Sequence, residues 1–177
     1  MNLILCGMMG SGKTTIGIKI AQRTGKSFVD TDTVIEERYG KIPDIFARYG
    51  EEYFRGLERE IVQELSVKEG LIISTGGGLV LCEKNVNALQ KNGKIVFLRA
   101  SLETLSHRLS ADSTRPMLQS ATESVTARIA KLLEKRTPVY EKAASYVVDV
   151  DNKSVDEIAN EIIKLTQNEE NKGAGTR

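Results

Sequence analysis

The sequence predicts an α/β fold with three layers, α/β/α, around a five-stranded parallel sheet. Short apolar runs alternate with stretches of helical periodicity, and parallel strands need such crossover helices between them. The five runs cover 3–6, 27–30, 71–75, 95–98 and 146–150. With 177 residues, of which 40% are hydrophobic, the chain is long enough to form one compact hydrophobic core and too short for two domains of typical size. We expect a single domain over 1–167 and a solvated C-terminal tail over 168–177.

A glycine-rich loop joins the first strand to the first helix. It reads Gly7-Met8-Met9-Gly10-Ser11-Gly12-Lys13-Thr14. Glycines let backbone N–H groups approach a triphosphate, the lysine adds positive charge at the β- and γ-phosphates, and the threonine hydroxyl can bind a hydrated Mg²⁺. The alternative is an ordinary glycine turn, but a chance match in such a chain is on the order of one in a hundred or rarer. The loop therefore predicts binding of a nucleoside triphosphate.

Helical periodicity fills the segments between the strands. The first helix, over 14–25, carries Ile16 and Ile20 on one face and stops at Gly25. Pro43 opens a short helix that Gly50 closes. The other helices are predicted over 34–39, 51–69, 83–91, 102–109, 125–133 and 155–165.

Residues 110–120 interrupt this pattern, because they are polar, lack periodicity and contain Arg115 and Pro116. One interpretation is a solvated loop. Opposite a triphosphate, the segment predicts instead a mobile lid that brings Arg115 to the transferring phosphoryl group.

Two carboxylates follow the second strand, in Asp30-Thr31-Asp32. Ligands of parallel sheets bind beyond the carboxyl ends of the strands, so these residues should face the phosphate loop. One interpretation is structural, with Thr31 or Asp32 capping the next helix. The other is functional: the carboxylates hold waters of the Mg²⁺ shell or accept a hydrogen bond from a substrate hydroxyl.

The third strand ends at the same edge in Ser74-Thr75-Gly76, followed by Gly77 and Gly78. Many phosphate-loop proteins have a metal-binding aspartate here. Without it, metal binding is expected to depend on the threonine of the phosphate loop and on the first aspartate of the second strand's loop. Three glycines form a flexible turn, or they expose backbone N–H groups to a ligand at van der Waals distance.

Composition argues against several classes of protein. The formal net charge is +1, from 25 Lys and Arg against 24 Asp and Glu, so no charge excess indicates nucleic acid or an anionic membrane. Cys6 and Cys82 form neither a CxxC motif nor a metal-binding spacing, and we expect free thiols in a reducing cytosol. No apolar stretch approaches the roughly 20 residues of a membrane span. We expect a cytoplasmic monomer. His107 is interpreted as a residue on the surface of a helix that takes no part in catalysis.

Taken together, these motifs resemble those of shikimate kinases. The resemblance covers residues 2 to about 165 and rests on the phosphate loop continued to Gly17, Phe28 to Asp32, Ile45-Phe46, Phe54-Arg55, Gly76 to Gly78, Arg115-Pro116, and Arg136, Pro138 and Tyr140. It implies a nucleoside-monophosphate-kinase-like fold with sheet order 2-3-1-4-5. It also implies phosphorylation of the 3-hydroxyl of shikimate by ATP with Mg²⁺.

The resemblance also implies roles for individual residues. The ATP phosphates would contact Gly10, Ser11, Gly12, Lys13, Thr14 and Thr15, with Thr14 on Mg²⁺ and Asp30 on its waters. Asp32 would hold the reacting hydroxyl, Gly76, Gly77 and Gly78 would line the ring of shikimate, and Arg55 and Arg136 would bind its carboxylate, which suits the guanidinium fork. Arg115 would reach the γ-phosphate, and Arg108 and Lys153 would flank adenine. Lys13, Asp32 and Arg115 are the catalytic candidates.

Two other functions remain open. The first is another small-molecule kinase of the same architecture, acting on gluconate or a nucleotide. The second is a regulatory module that kept the ATP site and lost transfer. Retention of all four of Asp32, Arg55, Arg115 and Arg136 argues against the second.

Overall fold

The five strands form one parallel sheet. The computed structural model describes residues 1–110 and 124–173, with side chains over 1–109 and 124–167. The strands are β1 (Asn2–Cys6), β2 (Ser27–Asp30), β3 (Leu71–Ser74), β4 (Gly93–Arg99) and β5 (Tyr146–Asp149). Their order is β2-β3-β1-β4-β5, and every neighbouring pair is parallel. This confirms the α/β class and the strand order that the resemblance implied.

The helices lie between the strands, as the alternation predicts. They are α1 (Lys13–Thr24), α2 (Thr31–Tyr39), α3 (Ile42–Ser66), α4 (Glu83–Gln90), α5 (Leu102–Ser110), α6 (Val125–Ala143) and α7 (Val155–Gly173). A short 3₁₀ turn, Leu79–Leu81, precedes α4. Gly50 has φ 80° and ψ 176° inside α3, so two helical segments meet there, as the predicted break at this glycine requires.

The centre of the sheet is buried on both faces. Every residue of β1 and β3 is buried, and successive side chains of a strand point to opposite faces. The edge strands β2 and β5 are only partly buried. Continuous apolar runs are typical of parallel strands that are covered by helices on both faces. This explains the runs Leu3-Ile4-Leu5 in β1 and Leu71-Ile72-Ile73 in β3.

Two helices extend eight or more residues beyond their predicted ends. Helix α6 continues from the predicted end at residue 133 to Ala143 and contains Pro138. A proline removes one helical hydrogen bond, but Arg136, Tyr140 and Ala143 are buried on one face of α6, and this packing outweighs the local preference. The backbone of α7 is helical to Gly173, eight residues beyond its predicted end. A solvated tail over 168–177 stays a prediction, since no side chain there is described.

Parallel strands bring their carboxyl ends to one edge of the sheet. The phosphate loop after β1, the start of α2 after β2 and the glycine turn after β3 therefore meet there. Arg115 and most of the predicted lid over 110–120 lie outside the described residues. Among the described helices, none is both long and apolar enough to cross a membrane.

Candidate active site

The phosphate loop wraps around the side chain of Lys13. Gly12 precedes α1 with φ 96° and ψ 13°, a left-handed conformation that glycine adopts without strain. Lys13 is buried, and its Nζ donates hydrogen bonds to the carbonyl oxygens of Gly7 at 3.0 Å and Met8 at 2.9 Å. The loop thus places a buried ammonium group beside the N-terminus of α1, an arrangement that attracts an anion.

A group of oxygen atoms lies next to this loop. The Thr14 hydroxyl donates to Asp30 Oδ2 at 2.8 Å and lies 3.5 Å from the Ser74 hydroxyl. Asp30 also caps α2, because its Oδ1 accepts from the backbone N–H groups of Asp32 and Thr33. The structural interpretation, in which Thr31 or Asp32 caps this helix, is therefore wrong. Both oxygens of Asp30 have a role: one holds α2 in place and the other faces the phosphate loop.

These groups line a cavity of about 540 Å³ at the sheet edge. The predicted site residues on its wall are Gly10, Gly12, Lys13, Thr14, Thr15, Asp30, Asp32, Gly77, Arg108 and Lys153. Arg108 Nη1 donates to the carbonyl oxygen of Gly10 at 3.0 Å, which ties α5 to the phosphate loop. Lys153 pairs with Glu161 of α7 at 2.7 Å. Residues from five separate parts of the chain thus share one cavity.

Two of the three glycines in this turn allow other side chains to approach closely. A Cβ at Gly76 would lie 2.5 Å from Asp32 Oδ1 and 3.3 Å from Glu58 Oε1, and a Cβ at Gly78 would lie 2.5 Å from Arg55 Nη1. None of the three glycines has a positive φ. Side chains from α2 and α3 therefore press on this turn, and the Thr31 hydroxyl fixes its start by accepting from the N–H of Gly76 at 2.9 Å.

Arg55 and Arg136 both approach this turn. Arg55 Nη1 donates to Glu58 Oε2 at 2.7 Å, and Arg55 Nη2 donates to Glu51 Oε1 at 2.9 Å. Burial opposes the charge of Arg55, but these two carboxylates outweigh it and raise its pKa. Arg136, from α6, is buried, and its Nη1 would lie 3.6 Å from a Cβ at Gly77. Two guanidinium groups from distant helices thus converge on one glycine turn.

Glu58 is a candidate site residue that the sequence interpretation missed. Burial raises the pKa of its carboxyl group; the hydrogen bond and charge of Arg55 act against this, whereas the charges of Asp32 and Glu51 add to it. Its Oε1 is buried without a hydrogen-bond partner. A signal was present, because Glu58 stands inside the apolar stripe of α3 formed by Phe54, Leu57 and Ile61. A buried carboxylate of this kind is typical of functional sites.

The described part of the chain buries three charged side chains, Lys13, Glu58 and Arg136, and all belong to this edge. His107 is exposed on α5, in keeping with its interpretation as a surface residue. Cys6 and Cys82 are free thiols, and burial raises the pKa of Cys6 to about 12, against a smaller opposite effect of Lys13. Among the described residues, buried charge is therefore concentrated around the cavity and the glycine turn.

The fold, together with the phosphate loop and the cavity at the carboxyl edge of the sheet, defines the class of the protein. It is a phosphate-loop α/β protein of the small-molecule kinase type. The shikimate kinase family model matches residues 9–167, and the chain belongs to the shikimate kinase family, which uses ATP. A shikimate kinase of Caldanaerobacter subterraneus subsp. tengcongensis is 42% identical over 164 residues, covering 92% of this chain and 94% of that protein.

Solved structures agree with this assignment. A shikimate kinase from Acinetobacter baumannii, solved in complex with shikimate, has a TM-score of 0.88 at 33% identity and covers 95% of this chain and 93% of its own. A gluconokinase from Sinorhizobium meliloti has a TM-score of 0.64 at 18% identity, with 99% and 97% covered, and at that identity it shows the fold alone.

Proposed function

We propose that this protein transfers the γ-phosphate of ATP to the 3-hydroxyl of shikimate, giving shikimate 3-phosphate and ADP. The observation that carries the proposal is the convergence of two guanidinium groups on the glycine turn beside Asp32. A planar carboxylate matches two guanidinium forks, and a hydroxyl near it would meet the aspartate at the mouth of the phosphate loop.

The ATP half of the site would use the phosphate loop. Backbone N–H groups from Gly10 to Thr15 would bind the phosphates, and Lys13 would leave the loop carbonyls to meet the β- and γ-phosphate oxygens. Arg108 and Lys153 would flank adenine at the far wall of the cavity. In the acceptor half, Gly76 to Gly78 would line the substrate ring.

The residues present fit a magnesium ion. The Thr14 hydroxyl lies within hydrogen-bonding reach of Asp30 and of the Ser74 hydroxyl, so hard oxygen ligands gather beside the phosphate loop. No cluster of three or more His, Cys, Asp or Glu suited to a metal occurs among the described residues, so phosphate and water would have to supply the remaining ligands. Thr14 would hold the ion directly and Asp30 through water. The ion would neutralise charge that develops on the phosphates.

The transfer itself would be an in-line displacement. The shikimate 3-oxygen forms a bond to the γ-phosphorus while the bond to the ADP oxygen breaks, and Asp32 accepts the hydroxyl proton. Arg115 would stabilise charge on the transferring group from a lid over 110–120. Arg115 and all of this segment except residue 110 lie outside the described residues, so the lid and the role of Arg115 stay predictions. The working unit would be a cytoplasmic monomer with its kinase domain over 1–167.

A panel of acceptors tests this function. Release of ADP from ATP should be measured with shikimate, gluconate and nucleoside monophosphates as acceptors. Shikimate should be the efficient one. Faster turnover with gluconate or a nucleotide would replace the proposal by the first alternative, and ATP binding without turnover on any acceptor would favour a regulatory module.

Replacing either guanidinium tests the carboxylate contact. Arg55→Lys and Arg136→Lys should raise KM for shikimate by roughly 10- to 100-fold, because a charged bidentate contact of about 1.5–3 kcal/mol is lost. The carboxylate does not change its charge during transfer, so kcat should fall less. KM for ATP should stay close to that of the unaltered protein.

Arg38→Lys is the matched control. Arg38 also holds a carboxylate with both Nη atoms, that of Glu64 at 2.7 and 3.2 Å, but on the exposed surface of α2. This variant should leave both KM values unchanged. Loss of ATP affinity in the two site variants, with shikimate affinity intact, would refute the carboxylate contact.

Glu58 should make shikimate binding sensitive to pH. Because its pKa is raised, protonation begins above the ordinary 4.5 as the pH falls, and a neutral carboxyl holds Arg55 less firmly. Shikimate affinity, measured by calorimetry without nucleotide, should weaken towards acid pH in the unaltered protein. Glu58→Gln should bind weakly throughout and show a flatter profile. Glu51→Gln removes the exposed carboxylate partner of Arg55. In this variant, shikimate affinity should still weaken towards acid pH.

The same group gives a stability prediction of known sign. A raised pKa means that folded Glu58 binds its proton more tightly than the unfolded chain does. Its contribution to the free energy of unfolding is therefore present at low pH and lost as the pH rises from 4.5 through the folded pKa. The unaltered protein should lose stability relative to Glu58→Gln over that window. Parallel unfolding curves for the two proteins across this range would contradict the assignment.

A further inference from the structure

Tyr140 reaches the acceptor half of the site from inside the core. It lies one helical turn after Arg136 on α6, so both side chains share one face. The residue is fully buried, and its ring packs against Phe97 of β4 with centroids 5.1 Å apart. A tyrosine this deep needs a partner for its hydroxyl group.

The partner is the glycine turn. The Tyr140 hydroxyl donates to the carbonyl oxygen of Gly77 at 2.6 Å and lies 3.8 Å from the sulfur of Met8 in the phosphate loop. Burial raises the pKa of Tyr140 to about 12, while the neighbouring Arg136 acts to lower it. The hydroxyl therefore stays protonated at physiological pH and remains a donor to Gly77.

This hydrogen bond sets the direction of a peptide plane. The described residues contain no cis peptide bonds, and in a trans peptide the carbonyl and the following N–H point in opposite directions. Holding the Gly77 carbonyl towards α6 therefore turns the N–H of Gly78 away from α6. Gly78 is the residue that lies against the guanidinium of Arg55.

The same turn touches the phosphate loop. A Cβ at Gly77 would lie 3.6 Å from Arg136 Nη1, 3.7 Å from the carbonyl oxygen of Gly7 and 3.8 Å from the backbone nitrogen of Met9. The Gly77 peptide therefore lies close to both Arg136 and the phosphate loop, and a shift of this peptide would change its distance to each.

We propose that Tyr140 is a positioning residue for the acceptor, which holds the Gly77 carbonyl and so fixes the glycine turn that Arg55 and Arg136 approach. The inference rests on the proposed function, since it concerns how the same site holds shikimate. Tyr140 is fully buried and does not line the cavity. It acts through the turn.

Tyr140→Phe tests the hydroxyl alone, because phenylalanine fills the same space. KM for shikimate should rise about tenfold, because the free energy of one buried hydrogen bond is lost from shikimate binding. KM for ATP should stay within about twofold, since the phosphate loop is held by its own contacts. The variant and its controls should be assayed at a temperature well below their thermal midpoints.

Phe97→Leu is the matched control for stability. It removes the ring that packs on Tyr140 and lowers the thermal midpoint, but it keeps the hydroxyl, so both KM values should stay near those of the unaltered protein. Tyr39→Phe is the control for loss of a tyrosine hydroxyl, since Tyr39 donates to Glu60 at 2.8 Å on the exposed surface. It should change neither KM.

A second measurement needs no variant. If the Tyr140 hydrogen bond favours shikimate binding, linkage requires that shikimate favour the hydrogen bond equally. In the unaltered protein, the Tyr140 hydroxyl proton, followed by NMR, should exchange with solvent more slowly with shikimate bound than with ADP alone. This readout decides the question even if Tyr140→Phe does not fold.

The outcomes separate the two proposals. If the unaltered protein transfers phosphate to shikimate, the proposed function holds, and the variants then decide on Tyr140. Unchanged KM for shikimate in Tyr140→Phe, an equal rise in both KM values, or the same rise in Phe97→Leu would each overturn the positioning role. Identical proton exchange with shikimate and with ADP would overturn it as well. Absence of transfer to shikimate in the unaltered protein would reject both proposals.

Discussion

Lys13→Met should lower kcat by at least about 10²- to 10³-fold, the cost of removing one preorganised charge from a phosphoryl-transfer site. Methionine keeps the length and the apolar stem of the side chain, so the change is confined to the ammonium group. This group donates hydrogen bonds to the carbonyl oxygens of Gly7 and Met8, which belong to the phosphate loop itself. The loop conformation itself depends on glycines and on the start of α1.

The thermal midpoint of Lys13→Met should move by only a few degrees. For a domain of this size about 1 kcal/mol corresponds to roughly 2–4 °C, and relief from burying an ammonium group offsets part of the cost of the hydrogen bonds that the Gly7 and Met8 carbonyls lose. Lys19→Met is the matched control, since Lys19 lies on the same helix but pairs with Asp156 at 3.1 Å on the surface. Near-normal turnover in Lys13→Met, or a collapse of its thermal stability, would show that the lysine serves folding rather than transfer.

Asp32→Asn should have the second largest effect, a loss of kcat of about 10²- to 10⁴-fold, because an amide cannot accept the proton of the reacting hydroxyl. Asp32 lines the same cavity as Lys13 and Thr14, and its Oδ1 sits where a side chain on Gly76 would otherwise be. Asparagine has the same shape, so the packing against the glycine turn is retained. KM for shikimate should change much less than kcat.

This pattern distinguishes Asp32 from the two arginines. Its interaction strengthens as the oxygen attacks, whereas the arginines hold a charge that stays constant. Asp44→Asn is the control, because Asp44 occupies the first turn of the neighbouring helix α3 and is exposed. If Asp32→Asn kept kcat and only raised KM, Asp32 would be a binding residue and another group would have to take the proton.

The parts of the fold that local sequence determines were predictable. The five strands are short apolar runs, and the phosphate loop carries its chemistry in eight consecutive residues. Strand order is different, because an alternating pattern of strands and helices is compatible with several orders. Here the order 2-3-1-4-5 came from the resemblance to shikimate kinases, and the sheet confirms it.

The features that the sequence did not reveal arise where distant segments meet. The requirement for Gly76 and Gly78 comes from Asp32 and Arg55, which approach the turn from other helices. The burial of Glu58 depends in the same way on what α3 packs against. Helix α6 continues through Pro138 because Tyr140 is buried in the core, and the helix propensity of the local sequence cannot predict such a tertiary contact.

Direct identification of the product tests the central claim. Purified protein should be incubated with ATP, Mg²⁺ and shikimate, and the product followed by phosphorus NMR with proton coupling. The account predicts stoichiometric formation of ADP and a new phosphate monoester whose phosphorus couples to the proton on carbon 3 of shikimate. A phosphate on another oxygen of shikimate, or ADP formed with free phosphate and unchanged shikimate, would contradict it.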